Sequence, residues 1–182
     1  MKFIQQQILL KKEIKVLIRQ AEITDAKELL NLIKEYLDDS EYIPINADEF
    51  NKTELDMSEW IKKLISSDNS IMLVAECNGE LIGNLDITGH HRKALMHTAI
   101  LGMGILKKWR GTGLGKELLN KALEWARNND SLEIITLDVY AENQAGIALY
   151  RKLGFNEIGT TPNFIKDNDR YYDNIAMWIS VK

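Results

Sequence analysis

Residues 99–155 decide the fold of this chain. They read AILGMGIL at 99–106, RGTGLGK at 110–116, LDVY at 137–140 and NQAGIALYRKLGF at 143–155. The first stretch predicts an apolar strand, the second a glycine-rich turn that opens a helix, and the last two a strand followed by a helix. Glycine lets consecutive backbone N–H groups point at one anion, and a helix start is the positive end of its dipole. The turn therefore predicts a phosphate site.

Two common phosphate-binding patterns do not fit this turn. A P-loop needs four residues between its glycines and then Gly-Lys-Ser/Thr, and a dinucleotide fingerprint needs G-x-G-x-x-G. The chain instead has Gly111-x-Gly113-x-Gly115, which disfavours a dinucleotide-dependent oxidoreductase even though Asp138 follows Gly115 by 23 residues. The turn does match Arg-x-x-Gly-x-Gly, with Arg110 in the first place.

Together, the turn and the helix at 143–155 resemble the GNAT superfamily of N-acetyltransferases. That family binds acetyl-CoA through the first motif and carries an Asn…LeuTyr…GlyPhe helix in the second, here Asn143, Leu149-Tyr150 and Gly154-Phe155. The resemblance implies an α/β (α+β) fold. It has a mixed, mostly antiparallel seven-stranded sheet flanked by four helices, in the order β-α-α-β-β-β-α-β-α-β-β.

Length and composition describe one globular domain of 182 residues. We assign residues 14–182 to a single acetyltransferase domain and residues 1–13 to an N-terminal extension that the pattern does not place. The net charge of −4 argues against nucleic-acid binding, and the longest uncharged stretch, 13 residues, is too short for a membrane span. The single Cys77 and the lack of a signal-peptide pattern predict a cytoplasmic protein.

Periodicity supplies the remaining elements. A helix is predicted to begin at the capping box Asp25-x-x-Glu28, and Asn78-Gly79 predicts a hairpin turn. The other predicted elements are a helix at about 57–65 and strands at 15–19, 71–77, 80–88, 155–160 and 173–180.

The resemblance also implies which residues hold acetyl-CoA. In the family, the strand of residues 99–106 splays from its neighbour and the pantetheine arm lies in the gap. The Met103 N–H would then face the thioester carbonyl as an oxyanion donor, and the Ile105 N–H would bond the pantetheine. The implied cofactor-binding set is Met103, Gly104, Ile105, Arg110, Gly111, Thr112, Gly113, Leu114, Gly115, Lys116, Asn143 and Tyr150.

Two glycines in that strand, Gly102 and Gly104, have two interpretations. Glycine inside a strand marks either the close approach of another chain or the relief of crowding in the core. Gly146, where the family commonly has alanine, weakens its helix by about 1 kcal/mol and would leave the cofactor more room.

Asn143 and Tyr150 each carry a structural and a functional interpretation. Asn143 is a favourable helix N-cap, to which the family adds a contact to CoA. Tyr150 lies two helical turns further along the same face, where it is either a core aromatic or the acid that protonates the departing thiolate.

The sequence does not identify a general base. The positions where some relatives carry Glu or His hold Ala99 and Leu101, which cannot take a proton. His97 lies on the same strand face and has a suitable unperturbed pKa, but a hydrogen-bonded surface histidine is the alternative. The other candidates, each also open to a structural role, are Asp86, Asp138 and Glu142. No metal site is predicted, because His90, His91 and His97 lack a completing carboxylate.

The acceptor is expected to be a small-molecule or peptide amine. Residues 34–59 hold nine acidic and two basic residues, a charge of −7 that would concentrate a cationic amine, although a solvated helix face explains the same run.

The leading hypothesis is direct attack of a primary amine on acetyl-CoA in a ternary complex. The alternative is a non-catalytic acyl-CoA-binding module that acts as sensor or scaffold. The oligomeric state stays open, with a homodimer as one option.

Overall fold

The computed structural model describes residues 3–45, 48–167 and 169–182. One eight-stranded sheet runs through it in the order β1-β2-β3-β4-β5-β6-β8-β7. The strands are β1 Gln6–Leu9, β2 Lys15–Gln20, β3 Ile71–Cys77, β4 Glu80–Gly89, β5 Thr98–Ile105, β6 Ile134–Tyr140, β7 Asn156–Asp167 and β8 Arg170–Ser180. The helices are α1 Ala26–Asp38, α2 Glu54–Ile65, α3 Leu114–Arg127 and α4 Gln144–Lys152.

Two apolar cores cover the two faces of the sheet. Side chains of α1 and α2 pack on one face around Leu29, Ile61 and Val74. Side chains of α3 and α4 pack on the other, around Leu118 and Ile147. Because the polar sides of these helices face solvent, their amphipathic pattern alone directs which face each of them buries.

The predicted fold class and element order are confirmed from β2 onward. The strand count is eight rather than seven, because β1 from the unplaced extension pairs antiparallel with β2, with Gln6 opposite Ile18. All neighbouring strands are antiparallel except β5 and β6, which are parallel.

Two helix starts differ from the prediction. The Asp25 side chain does not cap α1; its carboxylate accepts hydrogen bonds from the Glu22 N–H at 2.7 Å and from Arg19, so the capping box lies one turn earlier. Helix α2 begins three residues earlier than predicted, because Thr53 and Asp56 form a capping box there.

The two closing strands are longer than predicted. Pro162 and Asn163 lie in an irregular stretch of β7 between Thr161 and Ile165, and Asn163 has a φ of 54°. Since β7 is an edge strand, it can carry a proline and a bulge without losing its pairing to β8.

Candidate functional site

The sheet opens between β5 and β6. These strands pair only from Thr98 to Ile100 of β5, against Ile134 to Thr136 of β6. Beyond that point β5 continues to Ile105 and β6 to Tyr140 without pairing to each other. The opening, called the gap below, leaves backbone groups of two adjacent strands unpaired inside the sheet.

The pairing of β5 with β4 determines which backbone groups face the gap. Leu106 N–H donates to Ile82 O at 3.2 Å, and His90 N–H donates to Thr98 O at 3.2 Å. In an antiparallel ladder alternate residues bond to the same neighbour, so the even-numbered residues of β5 bond to β4. The N–H groups of Met103 and Ile105 therefore point into the gap, and neither has a partner among the described residues.

Two cavities meet at the gap. The larger, about 400 Å³, extends towards the glycine-rich turn and is lined by Ile105, Lys107 and Arg110. The smaller, about 250 Å³, lies on the side of α1 and β4. Both are lined by Met103, Gly104, Asn143 and Tyr150. One reactant in each cavity would thus bring two reactants together at β5.

The glycine-rich turn forms an anion cradle at the start of α3. Gly111 and Gly113 have φ values of 74° and 102°, which favour glycine, and a Cβ on either would meet no atom within 4 Å. The first helical bond runs from the Glu117 N–H to Gly113 O, and Leu114 N–H reaches only Thr112 Oγ1, at 3.4 Å. In the described chain the N–H groups of residues 111–113, 115 and 116 have no protein partner. Such a group of donors at a helix N-terminus suits a phosphate.

The cations around the cradle divide into two kinds. Arg110 donates from Nε to Ile105 O at 2.9 Å and from Nη2 to Asp39 Oδ1 at 2.6 Å, so it ties the end of β5 to the end of α1. Asp39 offsets the charge of Arg110, and the sequence did not indicate this pairing. Lys107 and Lys116, by contrast, are exposed beside the cradle, where their charges can attract an anion.

Asn143 caps α4, and Gly146 is shaped to it. Asn143 Oδ1 accepts the Gly146 N–H at 2.9 Å. A Cβ on Gly146 would lie 2.8 Å from Asn143 Nδ2, closer than real contacts allow. The Asn143 side chain folds over residue 146 and leaves no space for a Cβ there. This contact explains the glycine without any need for extra room for a cofactor.

Tyr150 lies between the two cavities. Its ring packs edge-on against Phe155 at a centroid distance of 5.7 Å. Within the described residues its hydroxyl makes no hydrogen bond, and burial raises the pKa of Tyr150 to about 12. The side chain thus has packing on one side and an uncommitted, protonated donor on the other.

Asp86 and Asn84 of β4 line the smaller cavity. The Asp86 carboxylate is half-buried and accepts a hydrogen bond from Thr88 Oγ1 at 2.8 Å. Burial raises the pKa of Asp86 to about 6 despite that bond. Asn84 is buried, and its Oδ1 has no hydrogen-bond partner in the described chain. Sequence reasoning named Asp86 as one base candidate among several and missed Asn84.

The two strand glycines make room for this cavity wall. A Cβ on Gly102 would lie 2.9 Å from Asp86 Oδ1, and one on Gly104 would lie 2.3 Å from the Tyr36 ring. The side chains that need the space come from β4 and α1. Of the two interpretations of these glycines, relief of crowding therefore explains why the face of β5 towards the β4 and α1 side chains carries no side chain at Gly102 and Gly104.

The remaining base candidates lie elsewhere. His97 precedes β5, six residues from Met103 and so about 20 Å along an extended strand, and it lines neither cavity. Asp138 lines the smaller cavity but is exposed and accepts a hydrogen bond from Asn174 Nδ2 at 2.6 Å. Glu142 is exposed and lines neither cavity.

The acidic run at 34–59 is mostly solvated. Of its nine acidic residues, all among those described, Asp39 and Glu41 line the larger cavity, and none lines the smaller one. Asp39 is paired with Arg110. The negative charge at the smaller cavity comes instead from Asp86 and Asp138, outside the run.

Comparison with known proteins identifies the family. The model of the acetyltransferase (GNAT) family matches residues 26–155. The chain belongs to this family. An L-amino acid N-acetyltransferase of Escherichia coli, AaaT, is 28% identical over 118 residues, which are 65% of this chain and 73% of AaaT.

Solved structures of this family share the fold. A GNAT-family acetyltransferase from Streptococcus pneumoniae superposes with a TM-score of 0.88 at 32% identity, over 91% of this chain and 99% of that one. The structure of YncA from Salmonella typhimurium with acetyl-CoA superposes with a TM-score of 0.82 at 19% identity, over 92% and 94%. Its family membership makes the chain an N-acetyltransferase. The comparison with YncA shows a shared fold and nothing further.

The described residues contain neither a metal-binding cluster nor a membrane-spanning helix. No group of three or more His, Cys, Asp or Glu side chains is arranged to hold a metal ion. No helix is long and apolar enough to span a bilayer.

Proposed function

We propose that this N-acetyltransferase transfers the acetyl group of acetyl-CoA to a primary amine by direct attack in a ternary complex. The observation that carries the proposal is the gap, where two cavities meet at one strand with an unpaired Met103 N–H. Acetyl-CoA would supply an activated acetyl group in the larger cavity, and the amine would approach from the smaller one.

The polar groups at and beside the larger cavity suit acetyl-CoA in their chemistry. A pantetheine arm carries amide groups, and the free N–H groups of Met103 and Ile105 at the gap are suited to bond such a chain as a strand would. The cradle at the start of α3, with Lys107 and Lys116 beside it, would hold the diphosphate. In this proposal acetyl-CoA runs from the cradle to the gap, with Arg110 bracing the end of β5.

Two groups would take part in the chemistry. The Met103 N–H would donate to the thioester oxygen as negative charge develops on it, and such donors typically contribute about 3–4 kcal/mol. The Tyr150 hydroxyl, which lines both cavities, would donate to the departing sulfur. Their convergence on the gap favours an enzyme over the alternative of a non-catalytic acyl-CoA-binding module.

The acceptor is proposed to be a primary amine that carries a further positive charge. Among the described residues that line the smaller cavity there are two carboxylates, Asp86 and Asp138, and no Lys, Arg or His. Aromatic rings line the same space, and aromatic faces attract ammonium groups. A free amino acid, the kind of acceptor named for AaaT, would bring a carboxylate that this cavity does not pair.

The charge of the acceptor is tested by an amine panel with salt variation. We expect the KM of a diamine to rise severalfold as ionic strength increases from about 0.01 to 0.3 M, because the Debye length shrinks from about 30 Å to below 10 Å. The control is a monoamine of equal chain length, whose KM should change less. Preferred turnover of neutral or acidic amines, with no salt dependence, would contradict a cationic acceptor.

A further inference from the structure

The smaller cavity contains a carboxylate whose surroundings differ from those of an ordinary surface acid. Asp86 lies directly across from Gly102 in the β4–β5 pairing, one residue from Met103. With no side chain on Gly102, the carboxylate oxygen Oδ1 occupies the space above β5, while Thr88 Oγ1 holds the other oxygen, Oδ2. Thr88 thus holds one oxygen, and the other lies over Gly102 in the wall of the smaller cavity.

A second polar atom faces the same space from the same strand face. Asn84 is two residues from Asp86, and side chains two residues apart in a strand point to the same side of the sheet. Its Oδ1 is buried without a partner in the described chain. An unmet buried acceptor next to a carboxylate fits a ligand group that carries several N–H donors.

We propose that Asp86 accepts the proton of the acceptor amine and that Asn84 holds the same nitrogen. The role rests on the proposed function. The reacting nitrogen enters as an uncharged amine, having lost its extra proton to solvent. As it attacks, the N–C bond to the acetyl carbon forms, one proton moves from this nitrogen to Asp86 Oδ1, and the C–S bond breaks. The sulfur leaves as a thiolate held by the Tyr150 hydroxyl and is protonated by solvent, while Asp86 returns its proton to solvent.

The surroundings of Asp86 give its carboxyl a pKa at which it can act as a base near neutral pH. The titratable groups that share its cavity are Tyr36 of α1, Tyr42 of the loop after α1, Asp138 of β6 and Tyr150 of α4. No cation is among the described residues that line it, so burial dominates and the pKa of Asp86 rises to about 6. Above that pH the carboxylate is charged and able to take a proton; below it, the base is lost.

The test compares the pH dependence of kcat/KM in matched variants. In wild type we expect kcat/KM, calculated on the concentration of uncharged amine, to fall as the pH drops below about 6. Asp86→Asn should lose about 10²-fold or more at pH 7.5 and lose this acid limb, with unchanged acetyl-CoA affinity by calorimetry. Glu142→Gln, an exposed carboxylate outside both cavities, should stay within about threefold of wild type.

A second variant distinguishes a proton acceptor from a structural carboxylate. The hydrogen bond from Thr88 Oγ1 lowers the pKa of Asp86, so Thr88→Val should move the acid limb to higher pH while the plateau rate stays near wild type. A purely structural Asp86 would not shift the profile in this way.

Folding of Asp86→Asn is checked by thermal melting. The carboxyl pKa is higher in the folded chain than the usual value near 3.9, so the stability that Asp86 gives below pH 4 is lost as the pH rises through about 6. The amide variant is therefore expected to melt no lower than wild type at pH 7.5.

Three results would overturn this role. They are Asp86→Asn activity within about threefold of wild type, an acid limb that Thr88→Val leaves in place, and a loss that follows Asp138→Asn instead. If wild type binds acetyl-CoA but acetylates no amine, the proposed function fails and this role fails with it. An inactive Asp86→Asn beside an active wild type tests Asp86 alone.

Discussion

Replacing Gly113 by valine is expected to weaken acetyl-CoA binding by about 10²-fold or more. Gly113 has a φ of 102° and its Cβ direction is open space at the cradle, where the diphosphate is proposed to lie. A valine side chain would occupy that space, and its backbone preference would turn the N–H groups away. Losing two charge-assisted hydrogen bonds, each contributing about 1.5–3 kcal/mol, corresponds to a loss of this size.

The chain offers a matched control for backbone strain. Gly79 in the β3–β4 hairpin also has a positive φ, 83°, and a Cβ there also meets no atom within 4 Å. Gly79→Val should show a comparable loss of thermal stability but wild-type acetyl-CoA affinity by calorimetry. Wild-type affinity in a folded Gly113→Val protein would place the diphosphate elsewhere, and binding of NAD in preference to acetyl-CoA would contradict the cradle's assignment.

Replacing Tyr150 by phenylalanine is expected to lower kcat by roughly 10²-fold with little change in acetyl-CoA affinity. General acid catalysis contributes about 10²–10⁴ in rate. The lower end applies because the Tyr150 pKa of about 12 exceeds that of an ordinary thiol, near 8.5. Complete proton transfer to the thiolate would therefore be uphill, and most of the benefit is a hydrogen bond to the departing sulfur.

The structure makes this substitution informative. The Tyr150 hydroxyl bonds to no described residue, so phenylalanine removes no hydrogen bond and keeps the edge-on contact with Phe155. Thermal melting of the variant should be close to wild type. Near-normal kcat in the folded variant would mean that Tyr150 serves only in packing and does not stabilise the departing sulfur.

Short stretches of sequence were enough to predict those parts of the site that are formed by neighbouring residues in the chain. The Asn143 cap depends on one residue and the helix after it, and the glycine turn depends on backbone freedom at Gly111 and Gly113. The order of elements followed because each helix and strand carries its own period. These features need no knowledge of distant partners.

The features that sequence reasoning missed or left open depend on contacts between different elements of the fold. Asp25 was expected to cap α1, but Arg19 of the neighbouring strand and the Glu22 N–H compete for its carboxylate. Asp86 becomes a strong base candidate only because β5 supplies Gly102 opposite it and α1 and α4 close the cavity. Neither burial nor the pKa that follows from it can be read from residues 80–89 alone.

The most direct test of the account is the release of CoA thiol from acetyl-CoA in the presence of amines, with the products weighed by mass spectrometry. We expect release to require both the protein and an amine, with one acetylated amine formed for each thiol. The preferred amines should carry a second positive charge. Tight acetyl-CoA binding without turnover of any amine would contradict the account and leave a module that binds acyl-CoA without catalysis.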